Sequence, residues 1–246
     1  MSEERARQLL KNAGAVLTGH FVGNSGKHFS VYVAKDRATQ RTSVISELCA
    51  SAAELFEGDN VEVVVSPAVG GIALAQWTAY HLTCLHPDRL EVLALYVEHD
   101  EEVIIKCGLD GESNAFEVPS QGVFDLLPGE KLVVVKPGFV LKRGFAADVK
   151  GKRILVAEDI LTTGGSAART VEAVKNAGGI VVGCAVLANG GKVTATDIGV
   201  PRLEALVTVE RQLFTKEECA DHGLCAQDVP VNTDFGHGAE FLAQRQ

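Results

Sequence analysis

The chain has 246 residues, 46% of them hydrophobic, which is enough to bury the core of one α/β domain. Its formal net charge of −9 argues against a nucleic-acid-binding surface, because such surfaces need an excess of lysine and arginine. The N-terminus has no apolar signal core, and no stretch approaches the roughly 20 apolar residues of a membrane helix. We therefore expect one cytoplasmic domain over residues 1–246, with neither nucleic acid nor membrane as a partner.

The first quarter of the chain predicts two helices and a strand. Residues 3–13 carry apolar side chains at helical spacing, with Glu3 and Glu4 in the first turn, where acidic groups favour the helix dipole. A Gly-rich bend over residues 19–26 precedes an alternating, strand-like run. The apolar positions from Ile45 to Phe56 then form one face of a second helix.

From residue 61 onward, short β-branched runs alternate with helical stretches. These runs cover residues 61–65, 92–97, 154–157 and 180–187. The pattern predicts a parallel sheet with helices on both faces, and ligands of such sheets bind at the carboxyl edge of the strands. Two Gly-rich turns, which follow Val65 and Ala157, open at that edge.

Two regions break the rhythm. Residues 100–138 are rich in charge, glycine and proline, with a strand-like run at 132–135, and predict a β-rich flap over the sheet edge. The tail beyond Glu218 has little periodicity and predicts coil. The tail contains Cys219 and Cys225 on either side of His222, but a C-x5-C spacing without a second pair matches no common zinc pattern. The sequence favours reduced thiols, and we assign no residue as a metal ligand.

The segment over residues 154–166 carries the strongest chemical signal. A buried strand brings Glu158 and Asp159 to the sheet edge, and a turn of threonines and glycines leads into a helix. The glycines let successive N–H groups converge at the positive end of the helix dipole, which predicts a phosphate cradle. The two carboxylates suit a vicinal diol. A Walker A loop is excluded because no lysine follows the glycines. The alternative is an exposed acidic pair before an ordinary turn, which the strict residue order disfavours.

This segment closely resembles the signature with which type I phosphoribosyltransferases bind 5-phosphoribosyl-1-pyrophosphate (PRPP), and orotate phosphoribosyltransferases in particular. The resemblance extends to a base-binding hood (residues 19–33), a pyrophosphate loop (66–72) and a basic run (141–153), and covers most of residues 15–230. Taken alone, the loop at 66–71 is better explained by a helix-leading turn without a ligand, and Lys142 with Arg143 equally well by a solvated charged turn. Their order along the chain favours the functional interpretation.

The resemblance implies the type I phosphoribosyltransferase fold, with a hood at about 1–35 and the flap as an insertion. It implies transfer of the phosphoribosyl group to a nucleobase, Mg²⁺ as cofactor and a homodimer. The implied PRPP site consists of Glu158, Asp159, Ile160, Leu161, Thr162, Thr163, Gly164, Gly165, Ser166, Ser66, Pro67, Ala68, Val69, Gly70 and Gly71. The implied catalytic residues are Asp159, Glu158, Lys142 and Arg143, and the implied base-binding residues are Asn24, Lys27 and Tyr32.

Three positions depart from the family pattern on the base side. Asn24 replaces a frequent lysine, Gly190 stands where an arginine usually helps to hold the base, and His99 lies near the place of a mobile-loop lysine. Lys106, Lys136 and Lys142 are candidate substitutes. Orotate is the expected base, since the resemblance is closest there. Two alternatives stay open because cations for its carboxylate are missing: a different base, or a non-catalytic PRPP-binding regulator.

Overall fold

The computed structural model describes residues 1–23, 26–100, 103–107, 116–118, 131–135 and 138–243, with the backbone alone for the three short middle ranges. Its strands are β1 (Val16–Val22), β2 (His28–Val33), β3 (Val63–Pro67), β4 (Leu93–His99), β5 (Val103–Cys107), β6 (Phe116–Val118), β7 (Lys131–Val135), β8 (Phe139–Val140), β9 (Arg153–Leu161), β10 (Ile180–Asn189), β11 (Leu203–Thr208) and β12 (Leu213–Phe214). Its α-helices are α1 (Glu3–Asn12), α2 (Lys35–Thr39), α3 (Thr42–Leu55), α4 (Ile72–Leu85), α5 (Phe145–Val149), α6 (Gly165–Asn176), α7 (Lys216–Asp221) and α8 (Gly238–Ala243).

A six-stranded sheet in the order β11-β10-β9-β3-β4-β8 organises the chain, and it is parallel except for β8. Strand β9 is buried on both faces because its apolar side chains alternate between two cores. Leu155 and Ala157 pack with α1, α3 and α4, while Val156 packs on the opposite face with α6. The predicted α/β class, with a parallel sheet flanked by helices, is confirmed.

The N-terminal hairpin forms a separate antiparallel sheet in the order β1-β2-β12, which we call the hood. Sequence placed a glycine-rich bend from residue 19, but β1 continues to Val22, and its register shift between Thr18 and Phe21 accommodates the glycine there. The predicted bend over residues 19–26 is therefore wrong for residues 19–22, which belong to β1.

The C-terminal tail is more ordered than the predicted coil. Helix α7 begins at a capping box in which Thr215 and Glu218 each bond to the other's backbone N–H. Farther on, the Asn232 N–H donates to the His20 carbonyl, and the His237 N–H donates to the Val22 carbonyl. These bonds lay the tail along the hood. Sequence periodicity missed them because a short segment fixed by distant backbone bonds needs no apolar repeat.

Within residues 100–138 the structure describes one antiparallel sheet, in the order β6-β5-β7. Its strand β7 includes the predicted run at 132–135, while the rest of the predicted flap lies outside the described residues. Among the described helices, none is both long and apolar enough to span a bilayer.

Candidate active site

A cavity of about 580 Å³ opens at the carboxyl edge of the parallel sheet, where the predicted site lies. Its walls come from the hood, from the end of β9, from the turns at 162–163 and 190–191, and from the tail. A second cavity of about 450 Å³ lies at the opposite edge, between the starts of β3 and β4, and contains none of the predicted residues. The carboxyl-edge cavity is therefore the candidate site.

Of the two predicted carboxylates at the end of β9, Asp159 lines this cavity, whereas Glu158 is buried next to it and is not a lining residue. Glu158 is 4% exposed and Asp159 is 6% exposed. Burial, together with the negative charge of Asp159, raises the pKa of Glu158 to about 8. One oxygen of Glu158, Oε2, is buried without a hydrogen-bond partner among the described residues. A buried acceptor without a hydrogen-bond partner is costly, and a bound cation or donor would remove that cost.

Lys35 forms an ion pair with Asp159, and sequence analysis did not identify this lysine. Burial alone would lower the pKa of Lys35, but the adjacent Asp159 carboxylate outweighs that effect and the pKa is raised. The sequence signal that could have identified Lys35 is its position, because it begins α2 just after the hood strand β2. Its charge keeps a cation beside the carboxylates.

The turn after β9 has the geometry expected of a phosphate cradle. Gly164 has φ 78° and caps α6, and a side chain there would meet Ile198 and Val193 at 2.8 and 2.9 Å, so both conformation and space require glycine. Thr162 and Thr163 are exposed and line the cavity, ahead of the N–H groups that open the twelve-residue helix.

Not every residue of the predicted segment reaches the cavity. Ile160 lines it, whereas Leu161 is 1% exposed, packs in the core, and uses its carbonyl to accept from the Gly190 N–H. Ser166 lies in the first turn of α6 and is half-buried.

The predicted pyrophosphate loop, residues 66–71, lies beside the carboxylates. Ser66 and Pro67 end β3 and are buried, while Val69 is 83% exposed. A side chain on Gly70 would collide with Lys35 and Asp159. The glycine therefore lets this loop approach the ion pair closely, and the structure brings the two predicted PRPP segments together. Gly71 is equally constrained, since a side chain there would meet Ser66 at 2.7 Å.

Of the three residues predicted to bind the base, Lys27 and Tyr32 line the hood side of the cavity, while Asn24 lies outside the described residues. Lys27 is exposed, and the ring of Tyr32 packs against Phe21 and Phe235 at centroid distances of 5.3 and 5.6 Å. The aromatic packing holds this wall of the cavity rigid.

Arg211 is a second cavity residue that sequence analysis missed. Its guanidinium lies 4.5 Å from the centre of the Phe29 ring, and a side chain on Gly190 would meet that guanidinium at 3.2 Å. Its Nε is buried without a hydrogen-bond partner among the described residues, and burial lowers the pKa of Arg211. Gly190 stands where the family usually has an arginine, and the guanidinium of Arg211, from the turn after β11, lies beside it. The missing side chain of Gly190 leaves room for that guanidinium.

The basic run does not line the cavity. Arg143 is exposed and makes two hydrogen bonds with the Glu98 carboxylate, at 3.2 and 3.3 Å, which raise the pKa of Arg143. Neither Lys142 nor His99 is a lining residue, and the His99 ring instead packs edge-on against Phe139 at 4.6 Å. The side chains of Lys106 and Lys136 lie outside the described residues.

Comparison with known proteins agrees with this geometry. The family described as phosphoribosyl transferase domain matches residues 129–203. The chain is 30% identical to the orotate phosphoribosyltransferase of Pelotomaculum thermopropionicum, over 94% of this chain and 96% of that protein. It is 31% identical to the enzyme of the same name from Desulforamulus reducens, over 94% and 95%.

Solved structures show the same fold. The orotate phosphoribosyltransferase of Aeropyrum pernix is 26% identical, with a TM-score of 0.53 over 82% of this chain and 92% of that one. The Mycobacterium tuberculosis enzyme of that name, solved in complex with PRPP, is 20% identical, with a TM-score of 0.51 over 84% and 95%.

Proposed function

The chain belongs to the type I phosphoribosyltransferases, and we propose that it transfers the phosphoribosyl group of PRPP to orotate in pyrimidine biosynthesis, releasing pyrophosphate and forming orotidine 5′-monophosphate. The observation that carries the choice of base is the half-buried Arg211, which lines the same cavity as Asp159. The names of the relatives in the comparison point to the same base.

The sugar-phosphate half of the site has a distinct task for each segment. The turn at 162–166 would bind the 5-phosphate with backbone N–H groups and hydroxyls at the start of α6. Asp159 and Glu158 would accept hydrogen bonds from the ribose diol. The loop at 66–71 would hold the pyrophosphate, since Gly70 brings its tip against Lys35 and Asp159.

Orotate differs from neutral bases in carrying a carboxylate. A hydrogen bond between arginine and a carboxylate contributes about 1.5–3 kcal/mol, and the guanidinium of Arg211 offers donors in a partly desolvated place. A neutral base would leave the positive charge of Arg211 uncompensated. Lys27 adds a second positive charge on the same wall. This electrostatic balance favours an anionic acceptor over adenine or another neutral base.

In the reaction, a ring nitrogen of the base forms a bond to C1 of the ribose and loses its proton to water or to the departing pyrophosphate, while the bond from C1 to the pyrophosphate oxygen breaks. The electron pair leaves with pyrophosphate, so the transition state is oxocarbenium-like, and the protein's main tasks are positioning and charge stabilisation. We assign Lys35 to the leaving group, in place of Lys142 and Arg143, because Lys35 lines the cavity beside the pyrophosphate loop.

Mg²⁺ fits the donors at the end of β9, because it prefers oxygen ligands and the buried Glu158 Oε2 lacks a partner among the described residues. Glu158 and Asp159 would hold it together with oxygens of PRPP, and most of its ligands would come from substrate and water. When bound, it supplies positive charge to the departing pyrophosphate.

The test is pyrophosphate release from PRPP and Mg²⁺ with orotate, followed by uracil, adenine and hypoxanthine. We expect turnover with orotate alone. Turnover with a neutral base and none with orotate would overturn the choice of base but keep the family activity. PRPP binding without release for any base would overturn catalysis and identify a PRPP-binding regulator.

We propose a homodimer as well, from the family resemblance, and light scattering of the purified protein tests it. A mass equal to one chain at assay concentration would contradict the dimer.

A further inference from the structure

Four metal-ligating side chains converge outside the cavity, where the tail packs on the hood. They are His20, His28, Cys219 and Cys225, and their ligand atoms all lie within 4.8 Å of one another. The first three residues are at most 1% exposed. Each histidine comes from one strand of the hood hairpin, and the two cysteines come from α7 and the turn that follows it.

The distances between the ligand atoms are within about 0.6 Å of those in a tetrahedral zinc site. The sulfur–nitrogen distances are 3.6 Å from Cys219 to His20, and 3.8 Å from Cys225 to each histidine. With Zn–N of about 2.0 Å and Zn–S of about 2.3 Å, tetrahedral ligands stand about 3.5 Å apart for sulfur and nitrogen and about 3.3 Å apart for two nitrogens. The two imidazole nitrogens are 2.7 Å apart, so they need to separate by only about 0.6 Å.

The surroundings orient two of the ligands for a metal. His20 Nδ1 lies 2.8 Å from the Val229 carbonyl, which can only accept, so Nδ1 carries the proton and Nε2 presents its lone pair to the cluster. The Cys225 N–H donates to the Cys219 sulfur at 3.2 Å, an arrangement that stabilises a thiolate. The Phe241 ring covers His28 edge-on at 4.7 Å and excludes water from this side.

We propose that His20, His28, Cys219 and Cys225 bind one Zn²⁺ as a structural site that joins the hood to the C-terminal tail. Two thiolates and two imidazoles in a closed tetrahedron are a ligand set that selects zinc among divalent cations. The second ligand pair, which C-x5-C spacing lacked, comes from residues about 200 positions earlier. His222 is not part of the site, because it is exposed and pairs with Asp221 at 3.2 Å.

The site would brace the wall that faces the base. Strand β2 carries both His28 and the cavity residues Phe29 and Tyr32, and the tail supplies Gly236 and His237 to the same cavity. Zinc would therefore fix the position of the tail relative to β2 through its bonds to the four ligands. This role does not depend on which base the protein uses.

The first experiment measures metal in the full chain, purified without chelators or a metal-affinity tag, by mass spectrometry with inductively coupled plasma. We expect one zinc per chain. Cys219→Ser and Cys225→Ser should each lower zinc affinity by at least about 100-fold, since even outer-shell changes cost about 10–100-fold. The control variants Cys84→Ser and His222→Ala, an exposed cysteine and the histidine between the ligands, should retain it.

A second measurement needs no variant and stays informative if the cysteine variants do not fold. Zinc is removed from the wild-type protein and Co²⁺ is added, and we expect the visible absorption of a tetrahedral site with thiolate-to-cobalt charge transfer. A mercurial reagent should release the zinc as two thiols react.

Either of two results would overturn the proposal. One is a zinc content no higher than that of the buffer, together with no visible absorption after Co²⁺ is added and no uptake of added zinc. The other is a Cys219–Cys225 disulfide in protein kept under reducing cytosolic conditions.

Discussion

The two halves of the cavity are built in different ways. The sugar-phosphate half is one continuous stretch, in which β9 leads through a turn into α6, and β9 lies between β10 and β3 inside the main sheet. The base half is assembled from the hood hairpin, the turn that carries Arg211 and the tail, which are far apart in sequence. The first half takes its rigidity from the protein core, whereas the second depends on contacts between separate surface elements.

This difference predicts that substitutions in the two halves have different effects on activity. A change in β9 disturbs carboxylates that both cores hold in position, so it should affect the chemistry of every acceptor. A change in the hood, the tail or the turn at Arg211 should alter the affinity for the base and leave PRPP binding intact. Substitutions in each half therefore test whether the two can be separated.

Asp159→Ala should have the largest effect. It removes a carboxylate that pairs with Lys35 and faces the ribose, and we expect kcat/KM for PRPP to fall by at least about 100-fold. Steady-state pyrophosphate release measures it, with Asp88→Ala, an exposed acid far from the cavity, as the control. Unfolding by urea should stay cooperative. Near-normal turnover in Asp159→Ala would contradict the role of β9.

Arg211→Gln should affect the base half alone. Losing a charged hydrogen bond worth about 1.5–3 kcal/mol predicts a rise of about 10–100-fold in KM for orotate, with KM for PRPP within about twofold of wild type. The matched control is Arg5→Gln, which removes only an exposed ion pair with Glu47 at 2.9 Å. An equal rise in both KM values would mean that the halves are not separable.

Glu158 should affect the pH dependence of stability. Because the folded pKa of about 8 exceeds the ordinary value of 4.5, the folded protein binds the extra proton, and stability falls as pH rises from about 4.5 to about 8. The slope from this group is at most about 1.4 kcal/mol per pH unit. Urea unfolding at pH 5, 6.5 and 8 should show a shallower decline for Glu158→Gln. Parallel curves for wild type and variant would show that Glu158 is not protonated in the folded state.

Sequence predicted the continuous half well because its information is local. The short β-branched runs between helical stretches identified β3, β4, β9 and β10. The order of acids, threonines and glycines identified the turn before α6. The apolar faces of α1 and α3 were equally clear. Periodicity and turn chemistry are properties of neighbouring residues, so they survive without any knowledge of tertiary contacts.

The assembled half was largely missed because no local pattern encodes it. Arg211 follows the edge strand β11, which the sequence pattern did not predict, and it reaches the cavity only because Gly190 lacks a side chain. Lys35 is an ordinary helix-starting residue until β9 places Asp159 beside it. His20 and His28 can be recognised as possible metal ligands only when the fold of the tail places two cysteines beside them.

The backbone bonds from Asn232 to His20 and from His237 to Val22 also bear on synthesis. A ribosome releases the hairpin first, and more than 200 residues must emerge before the segment that covers it is available. The parallel sheet can form during that interval, but the hood must wait, with His20 and His28 without the cysteines that complete their cluster. The proposed acceptor pocket can therefore be completed only after Gly236 and His237 of the tail have emerged. A nascent chain that stalls before residue 219 would carry a PRPP cradle and an unfinished place for the base.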